Sequence, residues 1–363
     1  MNFAFDQDQL MMRDAARKLL DDLSPMSAVH KIMDSEESYD AKLWQAMAEN
    51  GWLGTAIPES YGGSDLGYLE LAVLAEEIGR HCASVPFSSS IYLAAELIKA
   101  AGTEEQKHKY LPKLAAGEQI ATVALAEQGR TDLDGVTAKV EDGRLHGEKS
   151  PVVDGLCADL LILPARERGE LSLYLVDLGQ GVERNALHSM DRTRKQARLR
   201  FDGAAAERLG GSGEAGRHLD AAYDRGAALL AFEQVGLAQA ALDMGVAYAK
   251  ERYAFGRPIG SFQAIKHRLA DMFVKLESAR SNAYYAAWAL AKSPDELPAA
   301  AAYARLAANE AAAFATEENV QIHGGIGFTW EADPHMLVKR AKHLESWLGG
   351  GLVWGERLLG NAA

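Results

Sequence analysis

At 363 residues and a formal net charge of −13, the chain exceeds one domain of roughly 100–200 residues and lacks the basic footprint that nucleic-acid phosphates demand. Hydrophobic residues make up 48% and charged residues 25%, the balance of a globular protein able to bury a full core. The sequence opens without a signal-like apolar core and contains no apolar run of about 18 residues, so the expectation is a cytoplasmic protein with no membrane span. Cys82 and Cys157 lie far apart without metal-type spacing, which predicts two reduced thiols and no metal site.

From Asp6 to about Glu118 the apolar residues recur at spacings of three and four: Leu10, Ala15, Ala16, Leu19 and Leu20, then Leu43 to Met47, then Leu69 to Ile78. That period is helical. Pro58-Glu-Ser-Tyr-Gly-Gly63 interrupts it, and Thr103-Glu-Glu-Gln106 offers an N-cap followed by acids in the first turn. Between Gln119 and about Ala206 the character changes to short β-prone runs separated by Gly/Asp turns, with Asp142-Gly143 as a hairpin signal. From Arg217 onward Ala-rich helical segments span 217–251, 261–292 and 297–320, with Ser293-Pro294 as an inter-helix break. The predicted order is helix, antiparallel sheet, helix, with domains at 1–118, 119–214 and 215–363.

One stretch, from about Leu219 to Gln263, concentrates the unusual chemistry. It carries a single acid, Glu233, within an apolar run, and it ends in the basic turn Arg252-Tyr-Ala-Phe-Gly-Arg-Pro-Ile-Gly260. Two other glycine clusters read as loops. Gly210-Gly-Ser-Gly-Glu-Ala-Gly216 lacks the Lys-Ser/Thr of a phosphate loop, and Gly349-Gly-Gly351 follows no strand.

Four stretches together make the chain resemble the acyl-CoA dehydrogenase family of flavoproteins over essentially its full length. They are Gly51-WLGTAIPESYGG-Ser64 followed by Glu76-Glu-Ile-Gly-Arg80, Lys250-ERYAFGRPIGSFQ-Ala264, Gln321-IHGGIGFTWE-Ala332, and Lys339-Arg-Ala-Lys342. The resemblance implies an α+β fold with an N-terminal helical domain, a middle antiparallel β-barrel or sandwich and a C-terminal four-helix bundle. It also implies FAD, an acyl-CoA substrate, an electron-acceptor flavoprotein, and a homotetramer or a heterotetramer with a related subunit. In such proteins an Arg-x-x-Phe-Gly turn and the Gln-x-x-Gly-Gly turn of a neighbouring subunit hold the adenine half of FAD. Here those positions are Arg252, Phe255, Gln263, Gln321, Gly324 and Gly325. The chemistry agrees, since a guanidinium supplies a fork of donors and glycine lets the backbone approach phosphate.

The reaction implied by the resemblance needs a base that takes the α-proton of the thioester while hydride leaves the β-carbon for the flavin. A carboxylate in a dry pocket suits that task. Alignment on Arg340-Ala-Lys-His-Leu-Glu-Ser-Trp-Leu-Gly349 puts Leu348 at the usual position of the base. Alignment on Val235-Gly-Leu-Ala-Gln239 puts Gly226 at the alternative one. Glu233 shares a helix face with Gly226 and stands as the candidate catalytic residue, with a structural, hydrogen-bonded role as its rival and Glu345 as the runner-up. The middle region departs too, with Ala126-Glu-Gln-Gly129 and Pro151-Val-Val153 where relatives place Thr-Glu-Pro-Gly and Trp-x-Thr. Arg192, Arg194, Lys195 and Arg198 read equally as a CoA cradle or as a solvated strand edge. The expected function is FAD-dependent dehydrogenation of an acyl-CoA, including bulky steroid-derived esters. The alternatives are a non-catalytic FAD-binding subunit of a heteromeric enzyme and a flavoenzyme performing elimination on a CoA thioester.

Overall fold

Helix starts are dictated locally. In the computed structural model, which describes residues 5–361, Asp6 caps α1 (Gln7–Leu23) by accepting from the Gln9 amide while the Gln9 side chain returns to the Asp6 amide, a reciprocal capping box. α2 (Met26–Asp34) follows, then α3 (Ala41–Glu49), capped by Asp40, and α4 (Tyr68–Arg80). The buried π-helical run Ser88–Ala95 leads into α5 (Glu96–Ala101). α6 (Glu104–Ala115) starts at the capping box formed by Thr103 and Gln106, where the sequence places it.

Eight strands then form one sheet: β1 (Ala121–Val123), β2 (Lys139–Glu141), β3 (Arg144–Val153), β4 (Leu160–Glu167), β5 (Glu170–Asp177), β6 (Val182–Leu187), β7 (Gln196–Ala205) and β8 (Glu207–Leu209). Their order is β6-β7-β3-β2-β4-β5-β8, with β1 beside β4. Asp142 and Gly143 join β2 to β3 with φ of 47° and 74°, the doubly left-handed turn that matches strand twist. The sheet is antiparallel except where β1 and β2 pair in parallel with β4.

The helices resume with α7 (Ala215–Glu251) and a two-residue hairpin, β9 (Tyr253–Ala254) and β10 (Arg257–Pro258). α8 (Gln263–Lys292), α9 (Leu297–His323), α10 (Pro334–Ser346) and α11 (Gly351–Asn361) complete the chain. Of the two glycine clusters, the first is loop up to the start of α7, and Gly351 begins α11. No helix among the described residues is long and apolar enough to cross a membrane, and no group of metal ligands occurs among them. Neither cysteine forms a disulfide.

Contacts gather the chain into two compact units. One contains the chain up to His30, Tyr68–Ala83 and everything from Ala227 onward; the other contains Lys31–Gly67 and Ser84–Gly226. In the first, α1 packs on α4, α4 on α8, and α8, α10 and α11 on α9. Its tightest approach is between α4 and α7. A Cβ added at Gly79 would overlap the Glu233 carbonyl, and one at Gly236 would overlap the Glu76 carbonyl, so backbone lies against backbone at both positions. In the second unit, Arg194 and Asp154 are each about 2% exposed and pair in a fork of 3.1 and 2.6 Å, with Ser88 and Ser89 as further partners. Arg194 is therefore a buried structural cation, not a solvated strand-edge residue.

Gly79→Ala and Gly236→Ala are each expected to cost about 1–3 kcal/mol or more, read as a lower urea midpoint, whereas Gly355→Ala, where nothing lies within reach of an added Cβ, leaves the midpoint near wild type.

Candidate active site

The cofactor-type stretches come together at one end of the helices of the first unit. Tyr248, in the last turn of α7, stacks on His323 at the end of α9, with centroids 4.1 Å apart, and Gly245 packs against Asn319 and Ile322. Beyond Tyr248 the chain turns through the β9–β10 hairpin, whose tip is Phe255 (φ 53°) and Gly256 (φ 77°). The Arg252 carbonyl accepts from the Ile259 amide at 2.7 Å and closes the hairpin. Phe255 is 96% exposed and meets Phe262 edge-on, and Arg257 lies over the same ring at 4.1 Å. Arg252 is exposed and makes no ion pair among the described residues. Gln263, also exposed, opens α8.

Gln321 lies in the last turn of α9, and Gly324, with φ 65°, ends that helix. Nothing lies within 4 Å of a Cβ added at Gly324 or Gly325, so the turn leaves room for a large neighbouring group, while the Gly324 amide itself donates to the carbonyls of Val320 and Gln321. The exposed guanidinium of Arg252 and the open space at this glycine turn fit an anionic, phosphate-bearing cofactor. Phe328, 79% exposed, continues the apolar rim beyond the Gln321–Gly325 turn.

Glu233 lies elsewhere. Its side chain is fully buried, and its charge acts on Arg305 of α9. Burial pulls the Arg305 guanidinium down to about 10, opposed by the carboxylates of Glu233 and Glu345, so it remains a cation at neutral pH. Arg305 donates to Gln234 and to the carbonyls of Leu344 and Trp347, the last at 2.7 Å. A cation on the C-terminal carbonyls of α10 is favourably placed against the helix dipole. The next residue is Leu348, buried and at φ 60°. Glu345 is half-buried and pairs with Lys342 at 3.2 Å; Lys342 also reaches Glu317 at 3.0 Å. Arg340 is buried and donates to the Ala83 carbonyl.

In the second unit, Glu127 accepts from Thr137, Ala138 and the fully buried Lys149, the last at 2.7 Å. Burial works against the ionised Glu127 carboxylate, but these donors outweigh it and hold its proton affinity below the ordinary glutamate value. The divergent Ala126–Gly129 stretch is thus tied to β3 through its acid.

Sequence reasoning missed Arg305 as a partner of Glu233. Its only local signal is a lone arginine in the alanine run Ala299-Ala-Ala-Ala-Tyr-Ala-Arg305. It also missed the partners of Glu76 and Glu77, which are Arg280 and Arg17.

Comparison with known proteins agrees with this architecture. The acyl-CoA dehydrogenase N-terminal domain profile matches residues 6–118 and the C-terminal domain profile residues 219–351. The chain is 33% identical to the acyl-CoA dehydrogenase IpdE2 of Mycobacterium tuberculosis over 336 residues, covering 92% of this chain and 91% of that one. It is similar to butyryl-CoA dehydrogenase from Megasphaera elsdenii, with a TM-score of 0.91, 27% identity and complete coverage of both chains. A variant of the Tcur3481-Tcur3483 steroid ACAD gives a TM-score of 0.89 at 32% identity, covering 98% of each chain. The protein belongs to the acyl-CoA dehydrogenase family. It is an oxidoreductase of that type, acting on CH–CH groups.

Arg305→Met removes the guanidinium that feels the Glu233 charge and caps Leu344 and Trp347. The expected loss is roughly 3–5 kcal/mol of stability, measurable by denaturant unfolding; a loss under about 1 kcal/mol would show that the cap is dispensable.

Proposed function

We propose that the chain takes part in FAD-dependent α,β-dehydrogenation of an acyl-CoA thioester with a bulky, ring- or steroid-derived acyl group, in a tetramer with a second, related subunit. FAD, when bound, accepts the hydride from the β-carbon. Arg252, Phe255 and Gln263, with Gln321, Gly324 and Gly325, hold its adenine half. The exposed rings of Phe255 and Phe328 support an assembly in which these turns are covered by a neighbouring subunit.

The observation that carries the reading is the state of the base. Leu348 and Gly226 hold no carboxylate, and the buried Glu233 acts electrostatically on Arg305. A chain so equipped is best understood beside a partner that completes the chemistry. Similar structures include the ChsE4-ChsE5 complex from Mycobacterium tuberculosis, with a TM-score of 0.90 and 28% identity, and the Tcur3481-Tcur3483 steroid ACAD. Each of these two is named for a pair of proteins.

A second reading keeps Glu233 as this chain's own base, supported by its apolar surroundings on α7, Leu229 to Phe232 and Val235. Glu233→Gln separates the two. A base predicts intact FAD binding and folding with flavin bleaching by substrate slowed by roughly 10²–10⁴-fold. A counter-ion of Arg305 predicts lowered stability, with bleaching retained once the partner subunit is present. The subunit proposal itself fails if the chain purified alone reduces a dye acceptor with a straight-chain acyl-CoA at an ordinary dehydrogenase rate. Arg252→Ala is expected to lower FAD content at unchanged thermal stability of the apoprotein.

A further inference from the structure

Away from the cofactor-type turns, the first unit contains a cavity of about 430 Å³ into which four arginines project: Arg13 and Arg17 of α1, Arg80 of α4 and Arg280 of α8. Glu76 is the one acid among its lining residues. The lining itself is thus four guanidiniums to one acid, with the other acids that pair with these arginines set outside it.

Two of the four are accounted for by packing. Arg17 grips Glu77, whose side chain is fully buried, through two hydrogen bonds of 3.0 and 2.6 Å. Arg280 pairs with Glu76 and Glu277 and donates to Gln239 at 2.8 Å. The other two have no such duty. Arg13 pairs with Asp14 and Arg80 with Asp243, acids whose side chains are 67% and 47% exposed, and exposed pairs of this kind add little to stability.

What those pairs do is orient. Asp14, Asp243 and Glu77 do not line the cavity, and each holds a guanidinium that still has an Nη1 group with no hydrogen bond among the described residues. Forks already fixed in place lose little freedom when they grip a ligand. Phe5 and Tyr284, with ring centroids 4.6 Å apart, supply an aromatic wall, and burial and Glu76 keep the Tyr284 phenol protonated as a donor.

We propose that this cavity binds a small polyanion, a molecule carrying two or more phosphate or carboxylate groups gripped by Arg13, Arg17 and Arg80. Arg280 lies about 25 Å of helix rise from Gln263, so the site is separate from the FAD-type turns and does not rest on the function proposed for them.

The test is calorimetric titration of the full chain, supplemented with excess FAD, using inorganic pyrophosphate and citrate as probes. Saturable binding of at least one is expected. It should weaken with added salt, fall roughly tenfold or more in Arg13→Ala and in Arg80→Ala, and persist in Arg252→Ala. Preference for pyrophosphate marks a phosphate site and preference for citrate a carboxylate site, and either upholds the proposal. Both cavity variants remove partly exposed side chains, and unchanged thermal unfolding confirms that they fold. No saturable binding of either probe, equal affinity in the two cavity variants, or loss of binding in Arg252→Ala overturns it.

Discussion

Two glycines allow the backbones of α4 and α7 to touch, and much of the first unit follows from that approach. With Gly79 against the Glu233 carbonyl and Gly236 against the Glu76 carbonyl, no side chain fits between the helices. Two carboxylates carried at this crossing pair with guanidiniums from other helices, Glu77 with Arg17 of α1 and Glu76 with Arg280 of α8, and the third, Glu233, acts electrostatically on Arg305 of α9. Each of these acids is nearly or fully buried, and an ionised carboxylate removed from water needs a cation or dense hydrogen bonding to stay charged. The crossing therefore recruits α1, α8 and α9 around it. This is a stronger constraint than apolar packing alone, which tolerates small slides and substitutions.

The same network reaches the segment that ends in Leu348 and Gly349. Arg305, on which the Glu233 charge acts, donates to the carbonyls of Leu344 and Trp347, one residue short of Leu348. The charge that first suggests a catalytic acid on α7 is joined, through one guanidinium, to the main chain beside the position that lacks an acid. A buried cation needs its anion, and a helix end needs donors for its last carbonyls. Glu233 and α10 thus serve each other through Arg305 whether or not Glu233 has a chemical role.

Much of the architecture was legible because its signals are local. The capping residues Thr103 and Gln106, the Asp142-Gly143 hairpin and the helical segments after Arg217 lie where short-range patterns put them. Arg252 and Gly324 sit at exposed turns, as their residue types anticipate. What local pattern could not show was pairing across distance. Nothing in the alternation of β1, β2 and β4 announces that the first two run parallel to the third. Arg305 looks like a surface residue of an alanine-rich helix until α7 and α10 are packed against it. Arg194, one of four basic residues around β7, is buried by Asp154, forty positions earlier. Charged residues in the interior are chosen by partners remote in sequence, and periodicity carries no record of them.

Leu348 holds a left-handed φ of 60°, a conformation that costs a branched aliphatic residue on the order of 1–3 kcal/mol. Leucine gains nothing from that geometry, so the path of the main chain there is imposed by its surroundings, with Arg305 anchoring one side and Gly349, at φ 93°, following. Side-chain identity at this position is thereby uncoupled from the course of the backbone. A carboxylate can be lost or regained there by a change confined to one side chain, with no refitting of the helices that carry it. In such a scaffold, related chains can diverge into complementary members of a pair while their folds stay superimposable.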